Sequence, residues 1–286
     1  MKRYIKAKIV NIADEEDSVK MELAEDPDST IDVLEQIIER TFKFDDYASE
    51  LAAANPNVPV EMLSELSDCD NVYVRRGVAS NPNTPLHILK KLSYDCDDDV
   101  RENIASRQDI SNDLLELLSN DRSINVRGQV ILNPTVSDDI LWSLIRKHST
   151  ILFLTQCPKL TSSMLAAIVD YYIDNPSDYL GWSDCWHLLK NDNLPYDKLL
   201  SLFDTVKKHN DLISSYCKVV IQRCSAPYDI NDVLEDMWVT GNTYVRESII
   251  FDSNTPVSFL KWAYNNANES NMKKIQSVLE ERGVSI

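Results

Sequence analysis

The hydrophobic positions of this chain fall in a pattern that repeats. Residues 74–85 (VRRGVASNPNTP) and 245–256 (VRESIIFDSNTP) align without a gap. The dipeptide Val-Arg recurs at Val74-Arg75, Val100-Arg101 and Val126-Arg127, twice at an interval of 26. Seven residues after each Val stands an anchor position, followed by a turn and an apolar run. Carried along the chain, this register sets anchors at Asp26, Asn55, Asn81, Arg107, Asn133, Cys157, Asn191, Ala226 and Asp252, with spacings of 29, 26, 26, 26, 24, 34, 35 and 26. Eight residues after every anchor is a leucine: Leu34, Leu63, Leu89, Leu115, Leu141, Leu165, Leu199, Leu234 and Leu260. Three residues further on stand Ile37, Leu66, Leu92, Leu118, Leu144, Ile168, Leu202, Met237 and Ala263. The i, i+3 separation puts both columns on one face of a helix.

Each unit therefore reads as two short helices. The first, over residues 74–80 in the clearest unit, buries Val78 and Ala79 and stops at Asn81-Pro82, because a residue before proline is pushed out of the α region. The second starts at Thr84-Pro85, an N-cap hydroxyl followed by a proline whose missing N–H costs nothing there. Thr255-Pro256 repeats the signal, and Ser111 and Ser137 supply hydroxyl caps without the proline. Helices of this length are unstable alone, so they must stack into a one-dimensional core. The expected architecture is all-α, a solenoid of about nine two-helix repeats over residues 19–265, with polar caps over residues 1–18 and 266–286. Units six and seven, at 34 and 35 residues, are longer than the rest.

The Val-Arg pair, the Asn-Pro-x-Thr-Pro turn and the Leu-x-x-Leu run together resemble the variant leucine-rich repeat family, a helical relative of HEAT and armadillo solenoids. The resemblance covers roughly residues 19–265 and is most specific over 48–145. It implies a curved, right-handed superhelix acting as a binding scaffold, with no common enzymatic activity. A member of that family carries an iron–sulfur cluster on an N-terminal cysteine cluster; here the first cysteine is Cys69, so that feature does not carry over.

Composition narrows the functional classes. The chain has 286 residues, 43% hydrophobic and 26% charged, a balance that suits a folded protein. Its 46 acidic residues against 29 basic give a formal charge of −17, which argues against a direct nucleic-acid binder because phosphates would be repelled. The N-terminal stretch lacks the apolar core of a signal peptide and no apolar run approaches the roughly 20 residues of a membrane span. A cytoplasmic protein with reduced thiols at Cys69, Cys96, Cys157, Cys185, Cys217 and Cys224 is the expectation. His87, His148, His187 and His209 sit in different units without metal spacing, His87 reads as a rim residue, and Cys224 reads as a small buried one. No catalytic motif, metal site or cofactor loop is recognisable, so no enzyme, cofactor or metal is expected.

Three sets of residues remain. Arg75, Arg101, Arg127 and Arg246 recur at one place in their units and form the expected structural ladder, pairing with the carboxylates of the preceding turns, Asp95 for Arg101 and Asp121 for Arg127. The turns Asp68-Cys69-Asp70 and Asp95-Cys96-Asp97-Asp98-Asp99 occupy equivalent places. Their charge either keeps the array soluble or forms an acidic ridge that docks a basic surface. Residues 1–150 hold 29 acidic and 17 basic residues, so the charge is concentrated in that half. The extra length of unit six carries Tyr171, Tyr172, Tyr179, Trp182 and Trp186, which serve either as a larger core or as interface anchors. Two functional expectations follow. One is a non-enzymatic scaffold gripping a protein partner with a basic surface through acidic turns and aromatic anchors. The other is an acidic nucleic-acid mimic that inhibits a basic nucleic-acid-binding protein.

Overall fold

Short amphipathic segments punctuated by Asn-Pro and Ser/Thr turns can only become helices, and every regular element among the described residues is an α-helix. The computed structural model describes residues 16–40, 47–147, 151–175, 182–207, 210–224 and 227–285. The chain divides into two compact units, 1–150 and 151–286.

In the first unit the helices are α1 (Asp17–Glu25), α2 (Ile31–Arg40), α3 (Tyr47–Ala54), α4 (Val60–Leu66), α5 (Val72–Ser80), α6 (Leu86–Leu92), α7 (Asp98–Ser106), α8 (Asn112–Leu118), α9 (Ile124–Leu132) and α10 (Asp138–Arg146). The odd-numbered helices stack in one row, α1 on α3, α3 on α5, α5 on α7 and α7 on α9, while α2, α4, α6 and α8 pack against them. In the second unit the helices are α11 (Ile151–Leu154), α12 (Ser162–Asp174), α13 (Trp182–Lys190), α14 (Tyr196–Ser201), α15 (Phe203–Val206), α16 (Asn210–Arg223), α17 (Ile230–Thr240), α18 (Thr243–Phe251), α19 (Val257–Asn265) and α20 (Glu269–Glu281). Here α13, α16, α18 and α20 form one row, with α12 packing on α14 and α17 on α19 in the other. Both units are α-solenoid stacks.

The two hydrophobic columns are the spine of these stacks. All nine leucines of the first column are between 0 and 3% exposed, and all nine residues of the second column are buried. Removing each leucine from water contributes about 1.5–3 kcal/mol, which offsets helices too short to persist alone. The added length goes largely into α12, of 13 residues against seven for α4, α6 and α8, and into α16, of 14 against nine for α5, α7 and α9.

The anchor residues couple one repeat to the next. The Asn55 amide Nδ2 donates to the carbonyls of Ala24 and Asp26, Asn81 to those of Ala53 and Asn55, and Asn133 to those of Ala105 and Arg107, at 2.6–3.0 Å. The same side chains accept the backbone N–H two residues on, which shapes the turn. Each asparagine thus satisfies carbonyls left without partners at the end of the previous repeat's helix. Arg107 replaces the amide by a guanidinium, donates to Ala79 and Asn81 in the same way, and is steadied by Asp109. Arg282, just past α20, repeats the clamp on the carbonyls of Asp252 and Thr255.

Several expectations change on contact with the structure. Thr84 does not cap the helix that follows it. Its hydroxyl donates back to the Val78 carbonyl at 2.6 Å, as Thr255 does to Ile249, and the proline itself is the N-cap residue. A hydroxyl six residues past a helix carbonyl is held over it by the turn, while Pro85 offers no side-chain acceptor. Ser111 and Ser137 do cap their helices. Ala226 lies outside the described residues. Since α16 ends at Arg223, the position one past a helix, where anchors stand in units two to five, falls at Cys224. Cys224 is accordingly half-buried, with its Sγ donating to the Tyr228 carbonyl, rather than packed inside. Residues 1–15 of the expected N-terminal cap lie outside the described residues.

Candidate interaction surface

The arginine ladder runs in the direction opposite to the one expected. Arg75 grips Asp95 through Nε and Nη2 at 2.7 and 3.0 Å, and Arg101 grips Asp121 at 2.7 and 2.9 Å. Each carboxylate therefore belongs to the following turn. The preceding turn supplies only backbone carbonyls, Cys69 and Asp70 for Arg75, Asp95 for Arg101, and Asp121 for Arg127. The Arg101–Asp121 pair is sealed, its side chains 4% and 8% exposed. Burial opposes ionisation of Asp95 and Asp121, but hydrogen bonds from Arg75 and Arg101, joined by the Asp97 and Ser123 amides, hold both carboxyls below the usual range. The ladder ends where Lys147 takes the place of the next carboxylate, and Arg127 Nε is buried with no hydrogen-bond partner among the described residues. Arg246 is set differently: its Nε donates to the Trp238 carbonyl and its guanidinium lies 5.9 Å from that ring.

These pairings decide what the acidic turns present. Asp95 is turned inward to Arg75, and Asp97 caps α7 by accepting from the Asp99 and Val100 amides, so neither is an outward carboxylate. Arg76 pairs with both Asp97 and Asp99 and lies 5.2 Å from the Tyr73 ring. Asp98 is exposed and accepts from the Ser123 hydroxyl, which with its own amide lowers its pKa. Asp68 pairs with Lys91, and Asp70 is exposed. The structure brings Asp95, Asp97, Asp98 and Asp99 to one edge, but as a hydrogen-bonded corner with arginines set into it. Of the aromatic set, Tyr171 and Tyr172 end α12, half-buried and edge-to-face at 5.9 Å. Trp186 is half-buried with Lys190 Nζ 4.3 Å above its ring. Trp182 opens α13, its side chain outside the described residues, as is Tyr179.

A further set of side chains escaped the reading of the sequence. Ile31, Val60 and Leu86 are 42, 41 and 56% exposed, and all three are the first residues of second helices, five positions after their anchors. The three therefore share one register position in three successive repeats, a row in the repeat register, with the exposed carboxylates Asp32 and Glu35 on α2 and Glu61 on α4. The signal was present in the register: units four and five carry Asn112 and Asp138 at the same position, as a solvated helix start would.

Cys157, Cys185 and Cys217 are buried and His87 is exposed. Burial pushes the Cys217 thiol up to about 12, the setting of an inert packing residue. No group of three metal-binding side chains converges, and no helix is long and apolar enough to cross a membrane, among the described residues. Compared with protein-family models, curated proteins and solved structures, the chain matches none.

Proposed function

We propose that the protein is a non-enzymatic scaffold that binds another protein through the outer edge of its repeats. The observation that carries this reading is the row Ile31–Val60–Leu86. A solenoid buries its apolar side chains in the spine, and three large ones left outside at one register position, in three successive repeats, are what an extended partner segment would lie across. The adjoining Asp32, Glu35 and Glu61 suit a basic partner, as does the overall charge of −17. The half-buried Tyr171 and Tyr172 are amphipathic side chains of the kind that anchor interfaces. The finer assignment to the variant leucine-rich repeats is part of the proposal. It is supported by the Val-Arg pairs, whose arginines link adjacent repeats, and by the Asn-Pro turns, whose asparagines do the same. The nucleic-acid-mimic reading has less support, because several carboxylates of its ridge are paired with Arg75, Arg76 and Lys91.

The test uses the chain as bait at physiological salt, beside Ile31→Ser/Val60→Ser/Leu86→Ser, with quantitative mass spectrometry of captured proteins. A partner held by the row is retained by the native chain, resists 0.5 M salt as an apolar contact would, and is lost from the variant. Identical captured sets would overturn the reading. Capture of a nucleic-acid-binding protein that survives the serine changes but is released by ~0.3 M salt would favour the mimic.

A further inference from the structure

The extra length of unit seven makes a cleft. Its second helix breaks at Leu202 into α14 and α15, and between these and α17 lies a cavity of about 520 Å³, within the range of sites that hold small ligands or side chains. The floor is apolar: Leu200, Phe203, Val233, Met237 and the fully buried Tyr216, whose hydroxyl is turned away to the Leu199 carbonyl at 2.9 Å. The rim is acidic, with Asp204, Asp232 and Asp236 all exposed. Lys207 pairs with Asp204, its Nζ 5.5 Å from the Phe203 ring centroid. This lysine displays the chemistry of the site, an ammonium set between a carboxylate and an aromatic face. Across the cleft, Asp232 and Asp236 stand one turn apart on α17, where like charges repel, and neither carboxylate meets a cation among the described residues. The Thr240 hydroxyl donates to the Asp236 backbone carbonyl, not to either carboxylate, among the described residues. Two monodentate carboxylates are too few for calcium, which takes six to eight oxygens, whereas they match the forked donors of a guanidinium or the three of an ammonium.

We infer that this cleft receives an arginine or lysine side chain of a protein partner, its charged head between Asp232 and Asp236 and an adjoining apolar side chain on the Phe203–Met237 floor. The inference rests on the protein-binding reading and gives that partner a second, chemically defined contact. To test it, a phage-displayed library of random heptapeptides is panned on the full-length chain at physiological salt. Enriched peptides are then measured by fluorescence anisotropy against the native chain, Asp232→Asn/Asp236→Asn, and Val233→Trp, which fills the cavity. The expected peptides place Arg or Lys beside Leu, Ile or Phe, and their affinity falls at least tenfold with either variant and when norleucine replaces the basic residue. Peptides without a basic residue, or no enrichment, would overturn the inference. So would equal binding to both variants; that result leaves the protein-binding reading standing, since the serine variant of the Ile31–Val60–Leu86 row tests it separately.

Discussion

At the scale of single residues, the same few side chains are used twice, once to shape their own turn and once to hold the neighbouring repeat. Asp121 accepts the Ser123 amide within its turn and the Arg101 guanidinium from the repeat before it. Asp121→Asn would leave Arg101 buried against a neutral amide, and breaking a buried pair in this way typically costs about 3–5 kcal/mol; we expect a loss of at least about 2 kcal/mol in urea unfolding followed by circular dichroism. The pH dependence follows from the same pair. Because the folded carboxyls of Asp95 and Asp121 titrate below their ordinary value of about 3.9, their stabilisation is fully present above that pH and is lost as pH falls through the folded value. The native chain should therefore lose stability steeply below about pH 4, and Asp121→Asn should flatten that slope; an unchanged slope would contradict the ladder. The direction of the ladder was not legible in the sequence, for an arithmetic reason. In a 26-residue repeat, a carboxylate six residues before one arginine is also twenty after the previous one, and only the folded geometry separates the two. The leucine column was legible, since a strict period admits one helical face and all nine members are buried there.

At the scale of helices, the stack is set by how closely backbones approach. Gly77 in α5 faces α3, and a Cβ built there would meet the Glu50 carbonyl oxygen at 2.3 Å and Ala53 Cβ at 2.7 Å. Replacing glycine by alanine inside a helix would by itself gain about 1 kcal/mol of propensity. The contact is with backbone that cannot turn aside, so the cost sits in the upper part of the about 1–3 kcal/mol typical of overpacking, and the clash wins. Gly77→Ala should lower stability by about 1–2 kcal/mol by thermal unfolding; a stabilised variant would show that α3 and α5 have room to part. Helix ends illustrate what periodicity alone conveys. The stop at Asn81-Pro82 follows from the chain's own chemistry, whereas the reach of Thr84 back to Val78 depends on how the turn folds over, which no local spacing reports. The added helical length was visible as long periods, but the break of α14 and α15 around Leu202, and so the cleft, was not.

Across the whole molecule, each of the two units distributes its stability along a chain of neighbour contacts rather than in one core. The last link is α20, which packs on α18 and α19 while Arg282 clamps the carbonyls of Asp252 and Thr255. Truncation after Asn266 should release the amides of α18 and α19 to hydrogen exchange by more than about tenfold, ~1.4 kcal/mol of local stability, while α3 to α8 keep their protection. Uniform loss of protection along the chain would refute a nearest-neighbour array. The ladder and anchor contacts also make the first unit extensible in a defined way. A tandem copy of residues 82–107 spliced in after Arg107 would carry its own carboxylate for the arginine behind it and its own arginine for the carboxylate ahead. Its terminal guanidinium would find the Ala105 and Arg107 carbonyls that Asn133 takes now. Duplication at this stretch would lengthen the protein without orphaning a charge. The same operation on residues 108–133 would give Arg127 the copied Asp121 and leave the copied Arg127 facing Lys147, as Arg127 does now. Growth of such a gene by unequal crossing-over is thus chemically permitted along these repeats, with the one unpaired arginine always carried to the end of the first unit.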